Sequence, residues 1–226
     1  MNKNYTEIAF VLDRSGSMEG CQAAAIEGFN RFLREQQETQ GLAKLTLVLF
    51  DDEYLVPLRS LPVQEILPLD SDTYVPRNST ALLDAIGRTI DELGNSLASI
   101  PEENRPANVV LAILTDGLEN ASKKYTWEQV SKLIRQQTDQ YKWTFLFLGA
   151  NQDAIATAAK IGITAANSAT YVADAAGSRA SHSSLSRKVR SMRRMAMGNA
   201  TLEEQADAAA TLSELVEQED RKERTE

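Results

Sequence analysis

The stretch Val11-Leu12-Asp13-Arg14-Ser15-Gly16-Ser17-Met18 ends the first apolar run of the chain and sets an aspartate and two serines at alternate positions. The run before it, Ile8 to Leu12, is continuous rather than alternating, which is the pattern of a strand covered on both faces. After it, Ala23, Ala24, Ile26, Phe29, Phe32 and Leu33 recur at helical spacing and predict an amphipathic helix over residues 20–40. The unit is strand, polar loop, helix. Asp, Ser and Gly are ordinary turn and helix-cap residues, so this loop alone reads equally as a cap or as oxygens shared by a cation.

The same unit recurs along the chain. Leu45 to Phe50 predicts a second buried strand, and the turn Asp51-Asp52-Glu53 leads to a hairpin partner at Tyr54 to Leu58, which Pro57 assigns to a sheet edge. A loop-rich stretch with Pro62, Pro68 and Pro76 reaches Asn78-Ser79-Thr80. Leu82, Leu83, Ile86, Ile90, Leu93 and Leu97 then predict a second helix. Val109 to Leu114 is a third buried run, ending in Thr115-Asp116-Gly117. Thr126 is placed to cap a helix carrying Val130, Leu133 and Ile134, and Trp143 to Leu148 predicts another strand. A short helix over Asp153 to Ile161 and an edge strand at Thr170 to Val172 complete the series. Strands alternating with helices predict an α/β fold, doubly wound and Rossmann-like, with a mostly parallel central sheet flanked by helices.

From Gly177 the character changes. Ser- and Arg-rich sequence runs through Ser186-Arg187-Lys188-Val189-Arg190-Ser191-Met192-Arg193-Arg194 into an Ala/Glu-rich segment and a charged end, Glu217 to Glu226. Residues 1–176 are therefore expected to form the α/β domain, and residues 177–226 a linker and a helical or flexible C-terminal appendage.

Composition narrows the functional classes. The chain has 226 residues, 42% of them hydrophobic and 25% charged, and a formal net charge of −8. No apolar run approaches the roughly 20 residues of a membrane-spanning helix, and the residues before Asp13 read as a strand and not as a secretory leader. The acidic balance argues against nonspecific nucleic-acid binding by the whole chain. The single cysteine, Cys21, allows no internal disulfide and no multi-cysteine zinc framework, which favours a reducing, cytoplasmic setting.

In open α/β sheets ligands bind beyond the carboxyl ends of the strands, and three oxygen-rich loops fall there. Asp13, Ser15 and Ser17 come from one, Thr80 from a second and Asp116 from a third. Such donors are hard and favour magnesium, manganese or calcium over zinc. Arg14 and Gly16 read as spacers, with Gly16 easing the loop backbone, while Met18 and Cys21 read as packing residues.

The pattern resembles the von Willebrand factor A (VWA) family and its metal-ion-dependent adhesion site (MIDAS), specifically the bacterial or phage intracellular type. The carrying residues are Asp13-Arg14-Ser15-Gly16-Ser17, Thr80 in Asn78-Ser79-Thr80-Ala81-Leu82-Leu83-Asp84, and Asp116 in Leu114-Thr115-Asp116-Gly117. The resemblance covers residues 5–175. It implies a divalent cation, with magnesium first, contacted directly by Ser15 and Ser17, by Thr80 directly or through water depending on state, and supported mainly through water or hydrogen bonds by Asp13 and Asp116. It further implies a protein-binding module that engages an Asp or Glu of a partner, with AAA-type ATPases and other parts of multiprotein systems as the partner class.

Two readings from other classes compete. A metal-dependent phosphohydrolase or phosphotransfer protein would also place aspartates after parallel strands, but haloacid-dehalogenase-type enzymes want a second acid where this chain has Ser15. The Gly-Lys-Ser/Thr ending of a P-loop does not follow Gly16. Gly149-Ala150-Asn151-Gln152 is only weakly nucleotide-like. The one histidine, His182, is expected in a solvated linker, out of reach of a nucleophile. The second competitor is a nucleic-acid-associated scaffold, for which Arg187, Lys188, Arg190, Arg193 and Arg194 are the candidate contacts.

Overall fold

The computed structural model describes residues 1–150 and 154–225. The strands are β1 (Asn2–Asp13), β2 (Leu42–Phe50), β3 (Tyr54–Pro62), β4 (Pro106–Thr115), β5 (Thr144–Ala150) and β6 (Ser168–Tyr171). The helices are α1 (Gln22–Glu38), α2 (Leu82–Ala98), α3 (Trp127–Tyr141), α4 (Ala154–Lys160), α5 (Ala175–Met197), α6 (Leu202–Ala209) and α7 (Leu212–Glu223). The expected first helix is preceded by a separate 3-10 segment, Gly16–Cys21, so the serine loop turns tightly before α1 begins. Asn151, Gln152 and Asp153, the weak nucleotide-like stretch and the expected start of α4, lie outside the described residues, as does Glu226.

One sheet runs in the order β3-β2-β1-β4-β5-β6. β1 pairs in parallel with β2 and β4, and β3 joins β2 antiparallel at the edge that Pro57 requires. The chain winds outward from β1 through β2 to β3, then returns to lay β4 on the other side of β1. That reversal is the point where neighbouring loops diverge and leave a crevice. Leu12 is in register with both Leu49 and Leu114, so the loops after β1 and β4 start at the same level.

Because β1 is central, its successive side chains feed two cores. Ile8, Phe10 and Leu12 pack with Phe29 and Phe32 of α1, Leu185 and Val189 of α5, and Leu212 and Val216 of α7. Ala9 and Val11 face Leu82, Ile86 and Ile90 of α2 and Val130 and Ile134 of α3. Phe10 meets Phe29 and Phe32 edge-on, with ring centroids 5.4 and 5.0 Å apart. The predicted cap of α3 is present as a reciprocal capping box between Thr126 and Gln129, which satisfies two amide donors at the helix start.

The C-terminal segment is helical, as expected, but it packs into the core of the α/β domain. The division at 176/177 falls inside the first turn of α5, and α5 and α7 contribute to the same core as α1. His182, expected in solvent, is fully buried, stacked on Phe10 at 5.9 Å. Four of the five basic residues are engaged within the chain. Arg187 pairs with Asp207 at 2.5 Å and Glu219 at 2.6 Å, and Lys188 Nζ donates to the carbonyls of Ala208 and Ala210 at the end of α6. Buried Arg193 donates to the carbonyls of Gln36, Thr39 and Gly41 at the end of α1, and Arg194 reaches Gln40 and Glu204. Arg190 is half-buried on the same helix. Cations placed against the unpaired carbonyls of helix ends are a favourable arrangement, which explains basic residues in a protein interior.

Candidate metal centre

The site is built where β1 and β4 end. Asp13, the last residue of β1, is buried, and both of its carboxylate oxygens are engaged. Oδ1 accepts the amide of Ser15 at 2.7 Å, and Oδ2 accepts the hydroxyl of Thr115 from the neighbouring strand. Its carbonyl accepts the Tyr74 hydroxyl at 2.5 Å. Burial pushes the Asp13 carboxyl up to about 6, against the pull of the Thr115 and Ser15 hydrogen bonds. Burial also raises Asp116, with the Ser17 hydroxyl opposing. Two carboxyls held above their usual range in one crevice favour a cation that would offset their lost hydration.

The hydroxyls converge on the same place. Ser15 Oγ lies 3.1 Å from Ser17 Oγ, and Ser17 Oγ donates to Asp116 Oδ1 at 2.5 Å. With metal–oxygen bonds of about 2.1 Å, adjacent ligands of an octahedral ion sit about 3 Å apart, so the serine pair has the spacing of neighbouring ligands. Gly117 reports the third loop: a Cβ there would stand 2.6 Å from Thr80 Oγ1 and 3.3 Å from Ser15 Oγ. Only a residue without a side chain leaves room for the Thr80 and Ser15 hydroxyls on this side of the Asp116 loop. The five predicted oxygen residues are therefore brought together, and their donor set fits a hard divalent ion. Among the described residues, no group of three or more His, Cys, Asp or Glu side chains is placed to hold a metal.

Several residues around the site escaped the sequence reading. Thr115 and Tyr74 position Asp13 from below. Arg14 is no spacer: it is buried, with Nη2 3.1 Å from the carboxylate of buried Asp51. Gly16 has an ordinary backbone conformation, and its lack of a side chain serves close approach instead, with its amide donating to the Asn78 carbonyl at 3.0 Å. Thr115 stood in the quoted Leu-Thr-Asp-Gly signature, but an ion pair between loops 37 positions apart leaves no local pattern. The basic residues Arg187, Lys188, Arg190, Arg193 and Arg194 are all on α5 and contribute nothing to these loops.

No protein-family model matches the chain, and no curated protein matches it significantly in sequence. Solved structures do. Proximal thread matrix protein 1 from the mussel byssus matches at 16% identity and TM-score 0.55, covering 82% of this chain and 45% of the mussel chain. A further structure of that protein carries a zinc-occupied MIDAS motif. The vWF domain of the type V pili tip protein of Porphyromonas gingivalis matches at 12% identity and TM-score 0.57, over 81% of this chain and 94% of that one. Manganese-loaded TRAP protein of Plasmodium vivax matches at 16% identity and TM-score 0.53, over 80% and 72%. The chain thus spans under half the length of the mussel protein and nearly all of the pilus domain. At these identities the likeness speaks for architecture, and together with the sheet order it leads to one conclusion: this chain has the von Willebrand factor A fold.

Proposed function

We propose that the protein is a divalent-cation-dependent binding module, in which Asp13, Ser15, Ser17, Thr80 and Asp116 hold the ion and a partner protein supplies an Asp or Glu to it. The observation that carries this reading is the meeting of three neutral hydroxyls with only two carboxylates at the reversal point of the sheet. Neutral ligands leave a bound divalent ion electrophilic toward an outside carboxylate. Manganese in the Plasmodium neighbour and zinc in the mussel neighbour support a divalent ion, and the all-oxygen donor set argues for magnesium as the resident. The phosphohydrolase alternative lacks a second acid at position 15, where the chain has a serine.

The reading includes a cytoplasmic setting, consistent with one free cysteine, and a partner from a multiprotein system such as an AAA-type ATPase. Among the described residues no helix is long and apolar enough to cross a membrane. The test is capture of an acidic-peptide library on immobilised protein with magnesium, with chelator, and with the Asp116→Ala variant. Peptides retained only with magnesium, enriched in Asp or Glu and lost in the variant, support the module. Retention that ignores chelator contradicts it.

A further inference from the structure

The Thr80 loop is held by a residue outside the five. Asp51, in the turn between β2 and β3, is fully buried. Its Oδ2 lies 2.7 Å from Arg77 Nε and 3.1 Å from Arg14 Nη2, and its Oδ1 accepts the Glu53 amide at 2.6 Å. Its own carbonyl accepts the Ala81 amide at 2.8 Å. One residue thereby grips both ends of segment 77–81, Arg77 by its carboxylate and Ala81 by its carbonyl, with Thr80 between. Asn78, inside the segment, sits in the left-handed region at φ 57°, a turn conformation that asparagine adopts more readily than most residues.

The segment is also stitched to the serine loop. The Arg77 amide donates to the Arg14 carbonyl at 2.8 Å, and the Gly16 amide to the Asn78 carbonyl at 3.0 Å. Charge adds a second effect. Arg14 is buried, and among the described residues its Nε and Nη2 have no hydrogen-bond acceptor, so the Asp51 charge is what balances it, with Glu53 farther off at 3.8 Å. Without that carboxylate only exposed Glu53 would remain to offset the buried guanidinium, and the excess positive charge would oppose an incoming cation.

We propose that Asp51 is a positioning residue of the cation site, setting the Thr80 hydroxyl against the serine hydroxyls and neutralising Arg14 without touching the ion. This rests on reading the five oxygen residues as a cation site. The experiment compares full-length wild type, Asp51→Asn, Asp51→Asn/Arg14→Gln and Arg77→Ala by calorimetric manganese titration and, without metal, by hydrogen exchange across residues 77–81. Asp51→Asn should weaken manganese about 10- to 100-fold, the range found when residues supporting metal ligands are removed. The double variant, which removes the unbalanced charge, should recover part of that loss, as a purely structural defect would not. Half-exposed Arg77 can be removed without opening the core, and Arg77→Ala should speed exchange at 78–81 and weaken manganese. A folded Asp51→Asn with wild-type affinity and exchange overturns the proposal; if that variant does not fold, wild-type behaviour of Arg77→Ala does so. Wild type that binds no manganese overturns the cation reading itself, while the exchange data still decide whether Asp51 holds the loop.

Discussion

Gly117 shows how much a single residue decides. A methyl group there would stand 2.6 Å from Thr80 Oγ1, so Gly117→Ala must push the Thr80 hydroxyl away from Ser15. Gly117→Ala is expected to lower manganese affinity at least about tenfold while leaving the circular dichroism spectrum unchanged, since the collision is with a loop side chain and not with either core. His182 makes a second point. Fully buried, with Nδ1–H donating to the Ser178 carbonyl at 2.8 Å, its imidazole is pushed down to about 4 by desolvation. The unfolded chain takes up that proton near 6.5, so between pH 6.5 and 4 protons favour unfolding and stability falls with pH, by up to about 3 kcal/mol from this group. Raised Asp13 acts in the opposite sense. The comparison that isolates His182 is therefore urea unfolding of wild type and His182→Gln across that window, with the variant showing the smaller loss on acidification. The five oxygen residues were legible because Asp13, Ser15, Ser17 and Asp116 follow apolar runs and Thr80 stands just before the apolar face of α2. His182 was not, because its neighbours are serines and arginines, and its burial depends on Gly28, where a Cβ would come within 2.5 Å of the ring.

At the scale of elements, buried parallel strands declare themselves as apolar runs, whereas α5 conceals its burial. Ser178, Ser181, Ser184, Ser186 and Ser191 are all buried in it. Ser181 and Ser184 satisfy their hydroxyls on the carbonyls of Ser178 and Ser181, at 2.7 and 2.8 Å. A serine bonded back to its own helix needs no outside partner, and its small side chain lets α5 lie close to α1. A sequence that looks hydrophilic can thus be an inner helix. Its fastening is polar: Arg193 takes up carbonyls at the end of α1, and Lys188 those at the end of α6. Arg193→Ala leaves buried carbonyls without donors and should cost about 3 kcal/mol in urea unfolding, without changing manganese affinity. Truncation after residue 174 removes Leu185, Val189, Leu212 and Val216 from one core, and the product is expected to bind hydrophobic dye and lose its near-ultraviolet circular dichroism.

The whole molecule places its chemistry by topology. Because winding reverses between β1 and β4, the loop carrying Asp13, Ser15 and Ser17 and the loop carrying Asp116 flank one crevice, and the Asp51 turn beside β2 brings Thr80 in from the side. That convergence was foreseeable from the alternation of strands and helices together with the rule for open sheets. The clamp around Asp51 was not, since it depends on which loops touch. The central claim is that these oxygens form one divalent-cation site. Its most direct test is a calorimetric manganese titration of wild type and of Ser15→Ala/Ser17→Ala, with acetate added at saturating metal. Saturable binding in wild type, strengthened by acetate and abolished in the double variant, is the predicted result. Equal binding by both proteins, or none by folded wild type, would contradict it.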